Sequence, residues 1–264
     1  MRTITKNLIA VKLFAAFLLV LQLQSAAQPN ERSVTVYQYR RVPDNKIDEF
    51  IKRETTYWSK VAQKAVDKKQ LSFWALLEKI DGYDLPNSSN FLFVNTYPNI
   101  DSIGSVWSKA ESITGMKMAQ IETNSISITT SQFFLHDQNF VQAKNAVPEK
   151  DFNYVEMIYH NSNYPDSLIA LEKTYWSPFI QKAMDDNMTP QKAWGNAIVL
   201  SPSGDNIKFN TVSYDLFKTL TDALMPNWNP NTVLPIDGLN KIQGLEINRR
   251  GSVIYRVVKV VAGN

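Results

Sequence analysis

The chain has no cysteine, two histidines and only nine glycines in 264 residues. The lack of cysteine excludes disulfides, thiolate metal sites and a cysteine nucleophile. The sequence also lacks a glycine-rich phosphate loop, a dinucleotide-binding fingerprint, a GxSxG nucleophile elbow and the HExxH zinc motif. We therefore expect no cofactor and no metal site, and the function has to come from other residue types.

Long hydrophobic runs are also scarce, and the run from Leu13 to Leu21 lies near the N-terminus. Arg2, Lys6 and Lys12 precede this run, and the small residues Ser25–Ala27 follow it. This order is typical of a secretory signal peptide, and the run is far shorter than the roughly 20 residues that span a bilayer. We predict a signal peptide over residues 1–27, export to the periplasm or the extracellular space, and no membrane partner after cleavage.

The chain has almost no excess charge once the predicted signal peptide is removed. It has 28 basic and 25 acidic residues, and the three basic residues before position 28 have no acidic counterpart there. Cleavage would leave 25 residues of each sign. A basic surface that could bind phosphate backbones is therefore not expected, and we predict no nucleic-acid partner.

Two segments of the chain match each other. ETTYWSKVAQKAVD (Glu54 to Asp67) and EKTYWSPFIQKAMD (Glu172 to Asp185) are identical at nine of fourteen positions and are 118 residues apart. This match indicates an internal duplication. Because both copies retain the stretch Glu-x-Thr-Tyr-Trp-Ser, we interpret it as a helix that packs on its sheet, with Glu54 and Glu172 as possible buried acids of raised pKa.

The apolar and turn residues predict the order strand, helix, strand, strand, helix, strand in each copy. The elements predicted for the first copy are strands Val34–Arg41, Leu71–Lys79, Phe91–Tyr97 and Gln132–His136 with helices Lys46–Lys68 and Ile100–Lys109. Those predicted for the second copy are strands Tyr154–His160, Ala193–Leu200, Lys208–Tyr214 and Val253–Val261 with helices Ser167–Asp186 and Tyr214–Leu224. Pro178 interrupts a helix, so we expect a kink near Trp176–Pro178 and a matching bend at Ser59.

A duplicated β-α-β-β-α-β unit with a tryptophan in the second strand of each copy, Trp74 and Trp194, resembles the dimeric α+β barrel superfamily in its fused, single-chain form. The resemblance implies an α+β fold in which two ferredoxin-like repeats, residues 28–137 and 152–264, are joined by a linker over residues 138–151. The two sheets would enclose a central cavity with helices outside. Because one chain supplies both halves, a monomer would complete the barrel.

The alternation of side chains along each strand predicts which residues face that cavity. On the first strand of the second copy we assign Glu156 and His160 to the cavity, and Val155, Met157 and Tyr159 to the helices. The polar residues Gln38 and Arg40 occupy the face assigned to the cavity in the first copy. Together with residues of other strands, these predict an aromatic, partly polar pocket for a small organic molecule. The ligand-binding candidates are Gln38, Arg40, Trp74, Asn95, Trp194 and Asn196.

The sharpest catalytic candidates are His160, as a general base, and Glu156 on the same face of the strand. His136 precedes Asp137 at a strand exit and is a weaker candidate. A lone histidine could also be an axial haem ligand, so haem binding remains an alternative. The superfamily includes cofactor-independent monooxygenases, haem-binding peroxidases, haem-degrading enzymes, lactone isomerases and stress proteins, and fold alone does not select among them.

The sequence therefore predicts an exported barrel that binds a small, largely apolar molecule. Oxidation without a cofactor, or isomerisation, would be carried out by His160 and Glu156. A non-catalytic ligand-binding or stress-related module is the main alternative. In that case the proline-rich segment from Pro226 to Pro235 would contact a partner.

Overall fold

The computed structural model describes residues 32–82, 89–204, 207–247 and 251–263. The predicted signal peptide lies outside these residues. Eight strands are present in the described part of the chain. They are β1 (Val34–Arg41), β2 (Phe73–Gly82), β3 (Phe91–Tyr97), β4 (Ile128–Gln142), β5 (Tyr154–His160), β6 (Ala193–Ser201), β7 (Thr211–Phe217) and β8 (Gly251–Ala262).

The helices are short apart from two composite ones. They are α1 (Ile47–Arg53), α2 (Ser59–Asp67), α3 (Ile103–Trp107), α4 (Ala110–Thr114), α5 (Met118–Ile121), α6 (Pro148–Asp151), α7 (Pro165–Leu171), α8 (Ser177–Asp185), α9 (Leu220–Leu224) and α10 (Ile236–Gln243). A π-helical segment, Glu54–Trp58, joins α1 to α2, and a second, Glu172–Trp176, joins α7 to α8. Among the described residues, no helix has the length and apolar character needed to cross a bilayer.

Several elements begin and end at the predicted residues, and others do not. Strands β1, β3 and β5 begin and end where the alternation predicts. The fourth strand is much longer than predicted, because it runs to Gln142 while pairing with both β1 and β6. The predicted helix Tyr214–Leu224 was wrong in its first half, since β7 continues to Phe217 along β5 and Thr219 then caps α9. The irregularity expected near Pro178 is present as a π-helical segment that ends at Trp176.

The strands close into one antiparallel barrel. Its order is β1-β3-β2-β8-β5-β7-β6-β4, and β4 pairs with β1. The first four strands therefore form a sheet of order β4-β1-β3-β2, and the last four a sheet of order β8-β5-β7-β6. The pairings of β2 with β8 and of β4 with β6 join the two sheets. The predicted mixed α+β fold with a closed barrel is confirmed.

The barrel interior is filled mainly with apolar and tyrosine side chains, together with the Asp137 carboxyl, which accepts a hydrogen bond from Thr35 near Tyr37 and Tyr214. Tyr37 and Tyr39 of β1 contact Met157 and Tyr159 of β5 within one buried cluster. The hydroxyls of Tyr39 and Tyr159 lie 2.9 Å apart. Burial raises the pKa of both phenols well above the ordinary value. This part of the molecule is packed core, and the assignment of Gln38, Arg40, Glu156 and His160 to its walls was wrong.

The residues assigned to the cavity lie on the other face of the strands, beneath the helices. Val36 of β1 packs with Phe50 of α1 and Trp74 of β2 in a second buried cluster. Val155, Met157 and Tyr159, which were assigned to the helices, point into the barrel. The assignment failed because both faces of this wall are buried, so an apolar residue does not indicate which face it occupies.

Gly195 of β6 is a point where the interior is tightly packed. A Cβ atom at this position would lie 2.4 Å from the ring of Tyr214. We expect Gly195→Ala to lower the free energy of unfolding by about 1–3 kcal/mol, because the half-buried Tyr214 ring has to move. Urea unfolding would measure this. The control is Gly104→Ala in α3, where nothing lies within 4 Å of the added Cβ, and an equal stability of the two variants would contradict the expected clash.

Candidate functional site

The two sheets can be superimposed residue by residue through their hydrogen-bond register. Val34 pairs with Tyr97 in the first sheet, and Tyr154 pairs with Phe217 in the second. Equivalent strand positions are thus 120 residues apart, the separation of Tyr39 and Tyr159. The offset of 118 holds only for the helices. His160 is therefore equivalent to Arg40, and not to Val42 as the helix alignment suggested.

The layer between the first sheet and its helices is mainly an apolar core. Val36, Leu76, Phe91 and Phe93 of the strands are buried there with Phe50 of α1. This layer stabilises the fold in the way that a helix packed on a sheet usually does.

One polar cluster lies at the edge of the first layer. Thr123 donates a 2.7 Å hydrogen bond to Glu54, whose side chain is buried. Arg40 is buried too and donates to Asn124 and Ser127. Burial raises the pKa of Glu54 to about 7, although Thr123 and the charge of Arg40 lower it. Glu54 and Arg40 thus belong to a buried polar cluster in which each has its own hydrogen-bond partners.

The repeated Glu-x-Thr-Tyr-Trp-Ser stretch forms the π-helical segment in both halves. Its aromatic residues pack as interpreted: the Trp58 indole donates to the carbonyl of Ile121 at 2.8 Å, and Trp176 contacts Phe179. Its glutamates, Glu54 and Glu172, are both buried. The extra residue of a π-turn changes which side chains face inward. In each half of this protein the π-helical segment begins with a buried glutamate.

The second layer holds a hydrogen-bonded chain centred on His160. The Nδ1 atom of His160 lies 2.8 Å from Oε1 of Glu246, and Nε2 lies 2.8 Å from Oγ of Ser213. His160 and Ser213 are 2% and 3% exposed. A carboxylate beside Nδ1 favours the tautomer with its proton there, which leaves the lone pair of Nε2 to accept from the serine hydroxyl.

A second polar chain lies next to the first. The amide of Asn196 donates a 2.7 Å hydrogen bond to Oε2 of Glu172, and Asn139 donates to the side-chain oxygen of Asn196 at 2.9 Å. Asn196 is the cross-strand neighbour of Ser213 in the β6/β7 register. The π-segment acid of the second half therefore reaches the strand face that carries the His160 chain.

The two layers differ at equivalent positions. Each of four buried apolar residues in the first layer has a polar equivalent in the second. The pairs are Val36 and Glu156, Leu76 and Asn196, Phe91 and Thr211, and Phe93 and Ser213. The apolar contacts of the second layer are correspondingly divided into two small clusters. A polar strip thus separates two parts of what would otherwise be one core.

Glu156 shares the strand face of His160, as predicted. It lies four residues before His160 on β5, which places the two about 13 Å apart along the strand. Burial raises the pKa of Glu156, and a hydrogen bond from Ser252 lowers it. The two side chains therefore lie at opposite ends of the polar strip and do not contact one atom of a small ligand together.

The predicted ligand-binding residues do not form one site. Gln38, Arg40, Trp74 and Asn95 belong to the first layer, where Trp74 lies opposite Asn95. Gln38 donates to Gln132 and accepts from Arg40. Trp194 and Asn196 belong to the second layer with His160 and Glu156. β1 and β5 lie on opposite sides of the barrel, so Arg40 and His160 do not converge.

Sequence reasoning missed the direct partners of His160. Ser213 and Glu246 are 53 and 86 residues further along the chain. Neither lies in a recognisable motif, because serine and glutamate are common residues and only the fold brings them to the histidine. Ser213 could have been found by comparing the two copies, because it is a polar residue where the first copy has an apolar one. That comparison needs the strand offset of 120 residues.

Within residues 32–82, 89–204, 207–247 and 251–263, no group of three or more histidine and carboxylate side chains is arranged to hold a metal ion. Polar groups of the second layer interact mainly with each other. Their arrangement suits proton transfer within a partly apolar site.

Solved structures with the same fold exist at low sequence identity. An anthrone oxidase-like protein shares 11% identity at a TM-score of 0.54, over 89% of this chain and 96% of that chain. A Lactobacillus acidophilus protein proposed to be a monooxygenase shares 9% identity at a TM-score of 0.57, over 88% and 97%. A Fusobacterium nucleatum protein with the same proposed activity shares 10% at 0.53, over 87% and 94%.

These structures have the dimeric α+β barrel architecture, so the chain has that fold. No protein-family model and no curated protein sequence matches the chain. At these identities the likeness concerns the fold alone.

The buried acid of the first layer predicts a pH dependence of stability. Because the pKa of Glu54 rises to about 7 on folding from an ordinary 4.5, the folded protein holds this proton more tightly than the unfolded chain. The contribution is complete below about pH 4.5 and is lost as the pH rises through 7, a change on the order of 3 kcal/mol. Glu54→Gln should remove this loss.

Urea unfolding at pH 5 and pH 8 would measure the difference for Glu54→Gln and the wild-type protein. Glu149→Gln, at an exposed position, is the matched control and should behave as wild type. The same pH dependence in Glu54→Gln and wild type would show that another group is responsible.

Proposed function

We propose that the chain binds a small, largely apolar organic molecule in the layer between its second sheet and the covering helices, and that His160 accepts a proton from this molecule. The observation that carries the proposal is the fixed imidazole, buried and held through both ring nitrogens by Glu246 and Ser213. Rotation of the Ser213 side chain about χ1 would free the Nε2 lone pair for a substrate proton.

The difference between the two layers supports this location. A helix layer that only stabilises the fold favours apolar residues, as at Leu76 and Phe93 of the first sheet. The equivalent residues Asn196 and Ser213 are polar and buried, and burying polar groups is unfavourable unless they are hydrogen-bonded. Buried polar residues at these positions in one half alone are better explained by a single functional site than by a structural requirement that both halves share.

Glu156 has a different role from His160 in this proposal. It is partly exposed on the same strand face, where burial favours its protonated form. At about 13 Å from His160 along the strand, it would donate a hydrogen bond to a carbonyl or hydroxyl at the far end of the ligand. His160 is then the base, and Glu156 helps to orient the molecule.

Two reaction classes need only such a base. In an isomerisation, His160 removes a proton from an activated carbon and returns it at another position. In an oxidation, the resulting carbanion is oxidised by dioxygen as co-substrate; for anthrone the products are anthraquinone and water. The names of the similar structures, an anthrone oxidase-like protein and proteins proposed to be monooxygenases, favour the second class.

Haem binding through His160 does not fit the residues present. An axial ligand needs an imidazole nitrogen with an open side. His160 is 2% exposed, and rotation of Ser213 would free one hydrogen-bond position at Nε2 without opening the layer to the face of a macrocycle. The polar strip is therefore better suited to a small molecule that exchanges one hydrogen bond with Ser213.

We expect His160→Ala to lower the rate of anthrone oxidation by about 100-fold or more, because a general base commonly contributes 10²–10⁴-fold. Oxygen uptake and the absorbance of anthraquinone would measure the rate in the mature protein. The control is His136→Ala, which changes the other histidine, a residue that contacts the backbone oxygen of Ser33. Equal rates for His160→Ala and wild type would refute His160 as the base.

We also propose that the chain is a fused tandem repeat that is exported after cleavage behind Ala27. The nine identities in the helix motif and the repeated strand order support the duplication. Mass spectrometry of the protein isolated from its host should find Gln28 as the first residue. A chain that retains residues 1–27 in the cytoplasm would contradict export.

A further inference from the structure

His160 is the middle member of a chain of three side chains from distant parts of the sequence. Ser213 comes from β7, His160 from β5, and Glu246 from the segment that follows α10. The two hydrogen bonds, Oγ to Nε2 and Nδ1 to the carboxylate, are both 2.8 Å long. A nucleophile hydrogen-bonded to a base that is itself held by a carboxylate is the arrangement that activates a serine hydroxyl.

We infer that Ser213 is a nucleophile and that the second layer hydrolyses small carboxylic esters. The site is that of the proposed function, but the reaction is a different one. Here Ser213, and not a substrate carbon, donates the proton that His160 accepts. Glu246 is a positioning residue, because it acts only by fixing the His160 ring. The catalytic residues are Ser213 and His160.

The backbone holds Glu246 close to the strand that carries His160. Glu246 forms an isolated antiparallel bridge with Ser162, and the amide of Ile247 donates to the carbonyl of Asn161 at 2.9 Å. These contacts lie one and two residues beyond His160. The carboxylate and the imidazole are therefore fixed relative to each other before any ligand binds, which is what efficient positioning requires.

A buried hydroxyl nearby has no partner among the described residues. Thr211 is 1% exposed, and its Oγ1 makes no hydrogen bond. It pairs directly with His160 across β5 and β7, and it lies two residues from Ser213 on the same strand face. A buried hydroxyl without a partner is unfavourable. A donor beside the nucleophile could stabilise the negative oxygen that forms in ester hydrolysis.

The substrate class follows from the neighbours of Ser213. Ile158 is its cross-strand partner on β5 and is only partly buried although it faces the helix layer. A small molecule that enters this layer would meet an apolar side chain beside the nucleophile. We assign the site to esters with a short alkyl or aryl acyl group.

The reaction balances with water as the only co-reactant. Ser213 gives its proton to Nε2 of His160 while Oγ attacks the ester carbonyl, and collapse of the tetrahedral intermediate breaks the carbon–oxygen bond to the alcohol. His160 returns the proton to the leaving alkoxide. Water, deprotonated by His160, then cleaves the acyl-serine, and the products are a carboxylic acid and free Ser213.

The test uses the mature chain and two probes, diisopropyl fluorophosphate for covalent labelling and p-nitrophenyl acetate for turnover. We expect one adduct on the wild-type protein, mapped to Ser213 by peptide mass spectrometry, and none on Ser213→Ala. The control is Ser59→Ala, which removes another buried serine hydroxyl and should leave labelling at Ser213 intact. Thermal unfolding would confirm that each variant is folded.

Glu246→Gln tests positioning. A glutamine amide can donate to Nδ1, so the imidazole should change to the Nε2-protonated tautomer, which ¹⁵N chemical shifts of the ring detect. Labelling should slow at least tenfold in the same variant. A loss of folding alone would not change the tautomer in the protein that remains folded.

Absence of an adduct on the wild-type protein, or an adduct that persists in Ser213→Ala, would overturn the inference. The outcome is separate from that of the proposed function. Labelling at Ser213 without oxidation of anthrone supports the nucleophile and rejects the oxidase. Oxidation of anthrone that depends on His160, without labelling, does the reverse.

Discussion

Closure of the sheet is the constraint on which the rest of this structure depends. The pairings of β2 with β8 and of β4 with β6 join two four-stranded sheets and leave no free edge in the barrel. A barrel of eight strands has an interior just wide enough for side chains. Tyrosine, phenylalanine and aliphatic side chains fill most of it here, with Thr35 and Asp137 as a polar pair. The polar cluster around His160 lies on the outer face of the wall, between the strands and the helices.

The two halves use this outer face differently. In the first half it is a continuous apolar core with a buried polar cluster around Arg40 and Glu54. In the second half the equivalent face carries His160, Ser213 and Asn196. Because the first half already supplies a full apolar layer, the second can include polar groups that hydrogen-bond with each other. The two sheets of the barrel can therefore differ on this face, with one supplying an apolar layer and the other a polar cluster.

The order of elements was largely predictable, because amphipathic helices and alternating strands have different periods. The bounds of β1, β3 and β5 follow directly from such patterns. The direction of the side chains was not predictable. Both faces of each strand are buried, so Tyr159 and His160 looked equally suited to the interior. His160 and Glu156 were found on one face, as expected from alternation, but that face lies under the helices.

The sequence by itself determined the two matching helix segments and the α+β element order, because these depend on local pattern and composition. It also identified His160 as a chemically distinctive residue. Only the tertiary structure decided which face became the core and which residues surround His160. Ser213 and Glu246 are 53 and 86 residues away in the chain, and strand register and the path after α10 bring them together. Such contacts depend on closure of the whole barrel, which no local segment specifies.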